Sequence, residues 1–163
     1  MKPIRIRANG TAYVAVHIAP LDGRQMATQS FLLDTGATRT TIPKVFLVDK
    51  LGYTEEYIQA NRELLPEEEQ PTMANGERAD VYRIPIPRLN IGGHEIQHDY
   101  VLSSDKVGLN FLLGLDLLSY FNFAFNFDAK SEHTPYGSVF FEFRTAKKQD
   151  FSKMGGAFAH ELN

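Results

Sequence analysis

Residues 31–41 read FLLDTGATRTT. Phe31, Leu32 and Leu33 form an apolar run that ends on a single carboxylate, Asp34, followed by Thr35, Gly36 and Ala37. An apolar strand end anchored in a core would hold the acid at a fixed place. Thr35 offers a hydroxyl that can brace the loop. Gly36 lets a backbone N–H approach the carboxylate where a side chain would clash. Taken alone, an Asp-Thr-Gly tripeptide is also an ordinary capped turn, so its surroundings decide what it is.

Upstream, Ile4 and Ile6 alternate with Arg5 and Arg7, Asn9-Gly10 offers a tight turn, and Tyr13–Ile18 follows. That order predicts a β-hairpin, since both central residues of a type I′ turn need positive φ. Leu21-Asp22-Gly23-Arg24 makes a second turn into residues 29–33, which puts Asp34 just past a strand end. Downstream, residues 44–51 predict a short helix. Thr54 caps another that runs to about Leu65 and stops at Pro66, with Tyr57, Ile58, Leu64 and Leu65 on one docking face. Residues 66–70 read as an exposed acidic loop. Residues 71–87 read as a hairpin turning at Asn75-Gly76, and Ile91-Gly92-Gly93-His94 turns a further strand pair. Residues 121–127 alternate Phe with small or polar residues, a period of two that suits a strand. Residues 139–143 are its expected partner after the loop at Pro135-Tyr136-Gly137. Short strands, many turns and two helical pieces make a mainly-β domain.

A chain of 163 residues suits one domain with a hydrophobic core, and its 43% apolar and 23% charged residues are those of a globule. Lys and Arg number 17 against 20 Asp and Glu and are not clustered, so a nucleic-acid partner is not expected. The absence of cysteine removes disulfides, thiol nucleophiles and Cys-type zinc sites. MKPIRIRANG lacks the apolar core of a secretory signal. The most apolar stretch, NFLLGLDLLSYFNFAFNF, is interrupted by Asp116, Asn122 and Asn126, which favours buried core over membrane insertion. The expected location is cytoplasmic.

A rival signature stands at residues 94–98, HEIQH. H-E-x-x-H binds zinc only on a helix, where i and i+4 lie one turn apart. Here Gly92-Gly93 stands just before it, and Ile96, Tyr100 and Leu102 share one parity, as in a strand. Strand residues four apart are separated by about 13 Å, too far to share an ion with bonds of about 2 Å. A zinc protease is therefore the weaker reading, and no metal is expected. Activity abolished by a chelator and restored by zinc would revive it.

Residues 112–118, LLGLDLL, supply the second element: two leucines, Gly114, and an apolar helix start. The pair of stretches, with a flap-like hairpin between them, resembles the retropepsins, the retroviral-type aspartic proteases, and their bacterial single-domain relatives. The resemblance runs from about Tyr13 to Phe143. It implies a mainly-β, retropepsin-like closed β-barrel, the acid protease fold in a single lobe. A short helix should follow the Leu112-Leu113-Gly114 strand, which threads beside the catalytic loop as a structural psi-loop. The predicted helix and acidic loop at about 54–70 are an insertion before the flap. On this basis the protease domain spans 1–143, and 144–163 is a flexible tail.

The resemblance implies an aspartic endopeptidase with Asp34, Thr35 and Gly36 catalytic and no cofactor. Ala37, Thr38 and Arg39 would line substrate subsites, as would Ala74, Asn75 and Gly76 in a flap tip at residues 73–77. An Arg39 subsite would favour an acidic substrate side chain. Pepsin-type enzymes usually carry a hydroxyl residue where this chain has Ala37, so mildly rather than strongly acidic activity is expected. No other aspartate begins Asp-Thr-Gly or Asp-Ser-Gly after an apolar strand, and the chain is too short for two lobes. Asp116 reads as structural, satisfied by nearby backbone donors. Symmetry then supplies the second carboxylate as Asp34 of another copy in a C2 homodimer acting on a peptide or protein substrate. The alternative from another class is a binding or scaffold domain that keeps this fold without turnover.

Overall fold

The computed structural model describes residues 4–5, 10–86, 88–126 and 137–143. The expected tail at 144–163 lies outside them, as do Asn9, Phe127, Pro135 and Tyr136 of the expected turns and strand.

In chain order the elements are β1 (Ile4–Arg5), β2 (Tyr13–Ile18), β3 (Ala27–Leu33), α1 (Lys44–Asp49), α2 (Glu55–Asn61) and β4 (Glu63–Leu64). A 3-10 turn at Glu67–Glu69 leads on to β5 (Val81–Pro85), β6 (Arg88–Ile91), β7 (His94–Gln97), β8 (Tyr100–Ser104) and β9 (Leu112–Leu113). The last are α3 (Leu115–Leu118), β10 (Phe121–Asn126) and β11 (Ser138–Phe143). Sheet orders are β1-β11-β10, β7-β6-β2-β3-β9 and β4-β5-β8. The protein is mainly β with few helices, as the sequence predicts. Among the described residues no helix is long and apolar enough to cross a membrane.

The chain gathers into two compact units. One takes the described residues of Met1–Val14, Phe31–Thr40 and Leu113–Asn163. Here β10 pairs antiparallel with β11 from Phe121↔Phe143 to Asn126↔Ser138, which is the expected partnership. β1 pairs antiparallel with β11, Ile4 opposite Val139 and Arg5 opposite Ser138, while Ile6, Arg7 and Asn9 of the hairpin expected here lie outside the described residues.

The other unit takes Ala15–Ser30 and Thr41–Leu112. Its core includes Val16, Ile18, Ile42, Leu47, Ile58, Ile84, Leu89, Ile91 and Val101, all buried. β6 and β7 form the expected hairpin, with Ile91 opposite His94, and Gly92 and Gly93 carry the positive φ angles of 60° and 83° that this turn demands. The helix expected over 44–51 is Lys44–Asp49. Thr54 caps α2 as predicted, its hydroxyl accepting the Tyr57 N–H at 3.1 Å.

That second helix does not reach Leu65. It ends at Asn61, and Glu63 and Leu64 pair with Arg83 and Tyr82 as a strand. The β5 backbone competes for the same amides, and the chain is already pushed toward extended geometry ahead of Pro66. The hairpin expected over 71–87 is also shorter. Its arms pair only around Thr72↔Arg78, while β5 belongs to β4 and β8.

Asp105 ties several of these pieces together. Lys44 Nζ meets its Oδ1 at 3.0 Å and Glu55 at 2.7 Å, Arg62 meets its Oδ2 at 2.9 Å, and the Tyr82 hydroxyl donates to Oδ1 at 3.0 Å. Burial works to raise the Asp105 pKa. Hydrogen bonds from Lys44 and Tyr82 and the charges of Lys44 and Arg62 outweigh it, so the net shift is downward. A carboxyl with a depressed folded pKa lends stability above its unfolded value of about 3.9 and loses it as pH falls through the folded value. Asp105→Ala should therefore cost about 1–2 kcal/mol at pH 7, with the difference from the parent shrinking on acidification. Urea melts at pH 7 and pH 3 check this, and an equal cost at both would refute the electrostatic account.

Candidate active site

Asp34 is reached by β3, whose last residues are held from both sides. The Leu33 N–H donates to the Ala12 carbonyl at 2.9 Å, and the Asp34 N–H donates to the Leu113 carbonyl at 3.1 Å. The acid thus stands one residue beyond a strand end, as the apolar run predicts. The chain then turns at once, with the Ala37 N–H donating to the Asp34 carbonyl at 3.2 Å. The side chain is half-buried, while Thr35 and Gly36 are exposed. The Gly36 N–H donates to Asp34 Oδ1 at 2.9 Å. A Cβ at residue 36 would stand 3.2 Å from that oxygen, so glycine is the residue that permits this approach.

The Leu112-Leu113-Gly114 stretch braces the loop from the far side. Its backbone enters through the bond to Asp34 and continues as α3. The Leu115 N–H donates to the Ala37 carbonyl at 2.9 Å and the Asp116 N–H to the Thr38 carbonyl at 3.2 Å. The first amides of α3, which have no partner inside the helix, are thereby spent on residues 37 and 38. Gly114 passes so close to the loop that a Cβ would lie 2.6 Å from the Arg39 carbonyl carbon and 2.9 Å from the Thr40 nitrogen.

Beneath the loop lies a buried polar junction. Asp116 is 3% exposed, and its Oδ1 accepts from the Thr40 N–H at 3.0 Å, the Thr40 hydroxyl at 2.8 Å and the Leu117 N–H at 2.9 Å. The same Thr40 hydroxyl accepts the Gly114 N–H at 3.1 Å. Asp116 is structural here, as expected. The sequence does not single out Thr40, which stands two residues before the buried Ile42. Residues 34–40 and 113–116 thus form one hydrogen-bonded assembly presenting Asp34, Thr35 and Gly36. Ala37, Thr38 and Arg39 follow along it, each half-buried.

The candidate flap belongs to the second unit. The Met73 N–H donates to the Glu77 carbonyl at 2.7 Å and the Gly76 N–H to the Met73 carbonyl at 2.9 Å. Gly76 takes φ +84° and the Asn75 side chain accepts the Glu77 N–H at 3.0 Å, so Asn75-Gly76 forms the turn its composition predicts. Ala74, Asn75 and Gly76 are all exposed.

The H-E-x-x-H stretch lies on a strand and not a helix, as its parity predicts. His94–Gln97 is strand β7, with His94 exposed and His98 buried. Among the described residues no cluster of three His, Cys, Asp or Glu side chains is placed to hold a metal ion.

Mostly short strands, an Asp-Thr-Gly loop at a strand end and an apolar-apolar-Gly strand bracing it define a retropepsin-like aspartyl protease fold. Residues 21–120 match the family described as "gag-polyprotein putative aspartyl protease", and the chain belongs to that family. A crystal structure of a retropepsin-like aspartic protease from Rickettsia conorii is similar in fold, with a TM-score of 0.51 over 85% of this chain and 87% of that one, at 18% identity. No curated protein matches the chain.

Proposed function

We propose that the chain is an aspartic endopeptidase that acts as a homodimer, with Asp34 of each copy forming one catalytic pair. The observation that carries this reading is the Asp34 loop itself: an accessible carboxylate, fixed at a strand end, with the Gly36 N–H on one oxygen and an exposed Thr35 hydroxyl beside it. Each chain offers one such loop, and a two-fold axis supplies the other.

In that pair, two carboxylates about 3 Å apart share one proton. The ionised member takes a proton from a water held between them as it attacks the peptide carbonyl. The protonated member donates to the carbonyl oxygen. A tetrahedral diol forms, and a proton passes to the leaving nitrogen as the C–N bond breaks. Titration belongs to the pair as a unit. Ala37 offers it no hydroxyl, which places activity in mildly acidic solution. Residues 37–39 and the tip at 74–76 are the proposed substrate contacts, and Arg39 favours an acidic substrate side chain.

The dimer requirement has its own test. On dilution below the dimer dissociation constant, specific activity should fall in proportion to protein concentration, in step with monomer appearance in analytical ultracentrifugation. Constant specific activity in a demonstrably monomeric sample would defeat the proposal. A dimer that cuts no peptide would favour the scaffold alternative.

A further inference from the structure

The segment between α2 and the candidate flap has a use that its sequence does not declare. Gln70 sits just before the hairpin, and its side chain reaches across to Val81 just after it. Gln70 Oε1 accepts the Val81 N–H at 2.7 Å, while Nε2 donates to the Val81 carbonyl at 2.8 Å and to the Leu65 carbonyl at 3.0 Å. The side-chain amide thus pairs with both backbone groups of Val81, as a neighbouring strand residue would. Its orientation is fixed by chemistry, since only the NH₂ end can face two carbonyls.

Other contacts converge on the same root. The Leu65 N–H donates to the Val81 carbonyl at 2.9 Å, and the Ala79 N–H to the Pro71 carbonyl at 2.9 Å. The Ser104 hydroxyl donates to the Ala79 carbonyl at 2.6 Å. Asp80, between these anchors, takes φ +48°, a corner uncommon outside glycine, and meets Lys106 at 2.7 Å. Higher on the arm, Arg78 pairs with Glu67 of the 3-10 turn. The two sides of the hairpin are therefore gripped at residues 70 and 79–81, whereas the tip at 74–76 is exposed.

We propose that residues 63–70 are a built-in brace for the flap root, and that Gln70 is its positioning residue, fixing where the exposed tip can reach. The functional half of this inference rests on the endopeptidase reading; the mechanical half does not. A brace of this kind confines motion to the tip, so that closing over a substrate orders few residues and wastes little binding energy.

Gln70→Glu and Gln70→Ala test it. The first is nearly isosteric and keeps an acceptor for the Val81 N–H, but it sets an oxygen against the carbonyls of Leu65 and Val81. Hydrogen exchange at Met73, Gly76, Ala79 and Val81 should quicken roughly tenfold or more in both variants. The Ile58 amide of α2, bonded to the Thr54 carbonyl at 3.0 Å, should stay within about twofold of the parent. Peptide hydrolysis should lose about tenfold in kcat/KM, mainly through KM. Unchanged exchange at the hairpin, or equal quickening at Ile58, overturns the brace. Quickened exchange with KM unaltered overturns the positioning role. A parent protein that cuts no peptide defeats the endopeptidase reading instead, and the exchange measurements still decide the brace.

Discussion

Under the proposed function, Asp34→Asn is expected to abolish peptide hydrolysis while leaving the fold intact. The amide oxygen of asparagine can still accept the Gly36 N–H that Asp34 Oδ1 now accepts at 2.9 Å, so the loop keeps its shape. What disappears is a group that can take up and release a proton. Positioned acid–base groups contribute about 10²–10⁴-fold each. In a homodimer both members of the pair change together, so the expected loss is about 10³-fold or greater. The measurement is cleavage of a peptide library by parent and variant at matched concentration, alongside thermal melts. A variant that cuts at a tenth of the parent rate or better would take Asp34 out of the chemistry. Equal melting temperatures with activity lost assign it to the reaction and not to the scaffold.

Gly114→Ala should cost both stability and activity, for a steric reason alone. Gly114 has φ −91°, so its backbone conformation is open to any residue. The obstacle is distance: a Cβ would meet Arg39 and Thr40 backbone atoms at 2.6–2.9 Å. Backbone cannot rotate aside as a side chain can, so the loop and the strand must part. That separation strains the Thr40–Asp116 hydrogen bonds and moves the peptide that carries Asp34. A cost of about 2–4 kcal/mol is expected, and displacing the acid by about 1 Å would cost on the order of 10²-fold in rate. Gly108→Ala is the control, since nothing lies within 4 Å of the added methyl there. Should both variants melt alike, close packing at Gly114 does not hold the loop.

The parts of this protein legible in the sequence are those where a short stretch determines its own geometry. The apolar run into Asp34, the Gly92-Gly93 turn and the Thr54 cap each carry their cause within a few residues, and each appears as expected. Asp116 was also legible, because a charge inside an apolar run must be buried with partners or not buried at all. The failures share a different cause. Glu63-Leu64 left a helix for a strand, and β5 left the expected hairpin for β4 and β8, because distant backbone offered better hydrogen bonds than the nearest neighbours did. Gln70 gave no signal at all: nothing in a glutamine before a proline says that it will bond to Val81.

The sequence by itself determined the carboxylate, the glycine beside it and the leucine-leucine-glycine strand, since the chemistry of one acid and the absence of two side chains are properties of residue type. Only the tertiary structure decided that Thr40, Asp116 and Gly114 meet under the Asp34 loop, and that Gln70 grips the hairpin root. Those arrangements join segments far apart in the chain, and long-range pairing is selected by packing and hydrogen-bond satisfaction of the whole, which no local pattern encodes.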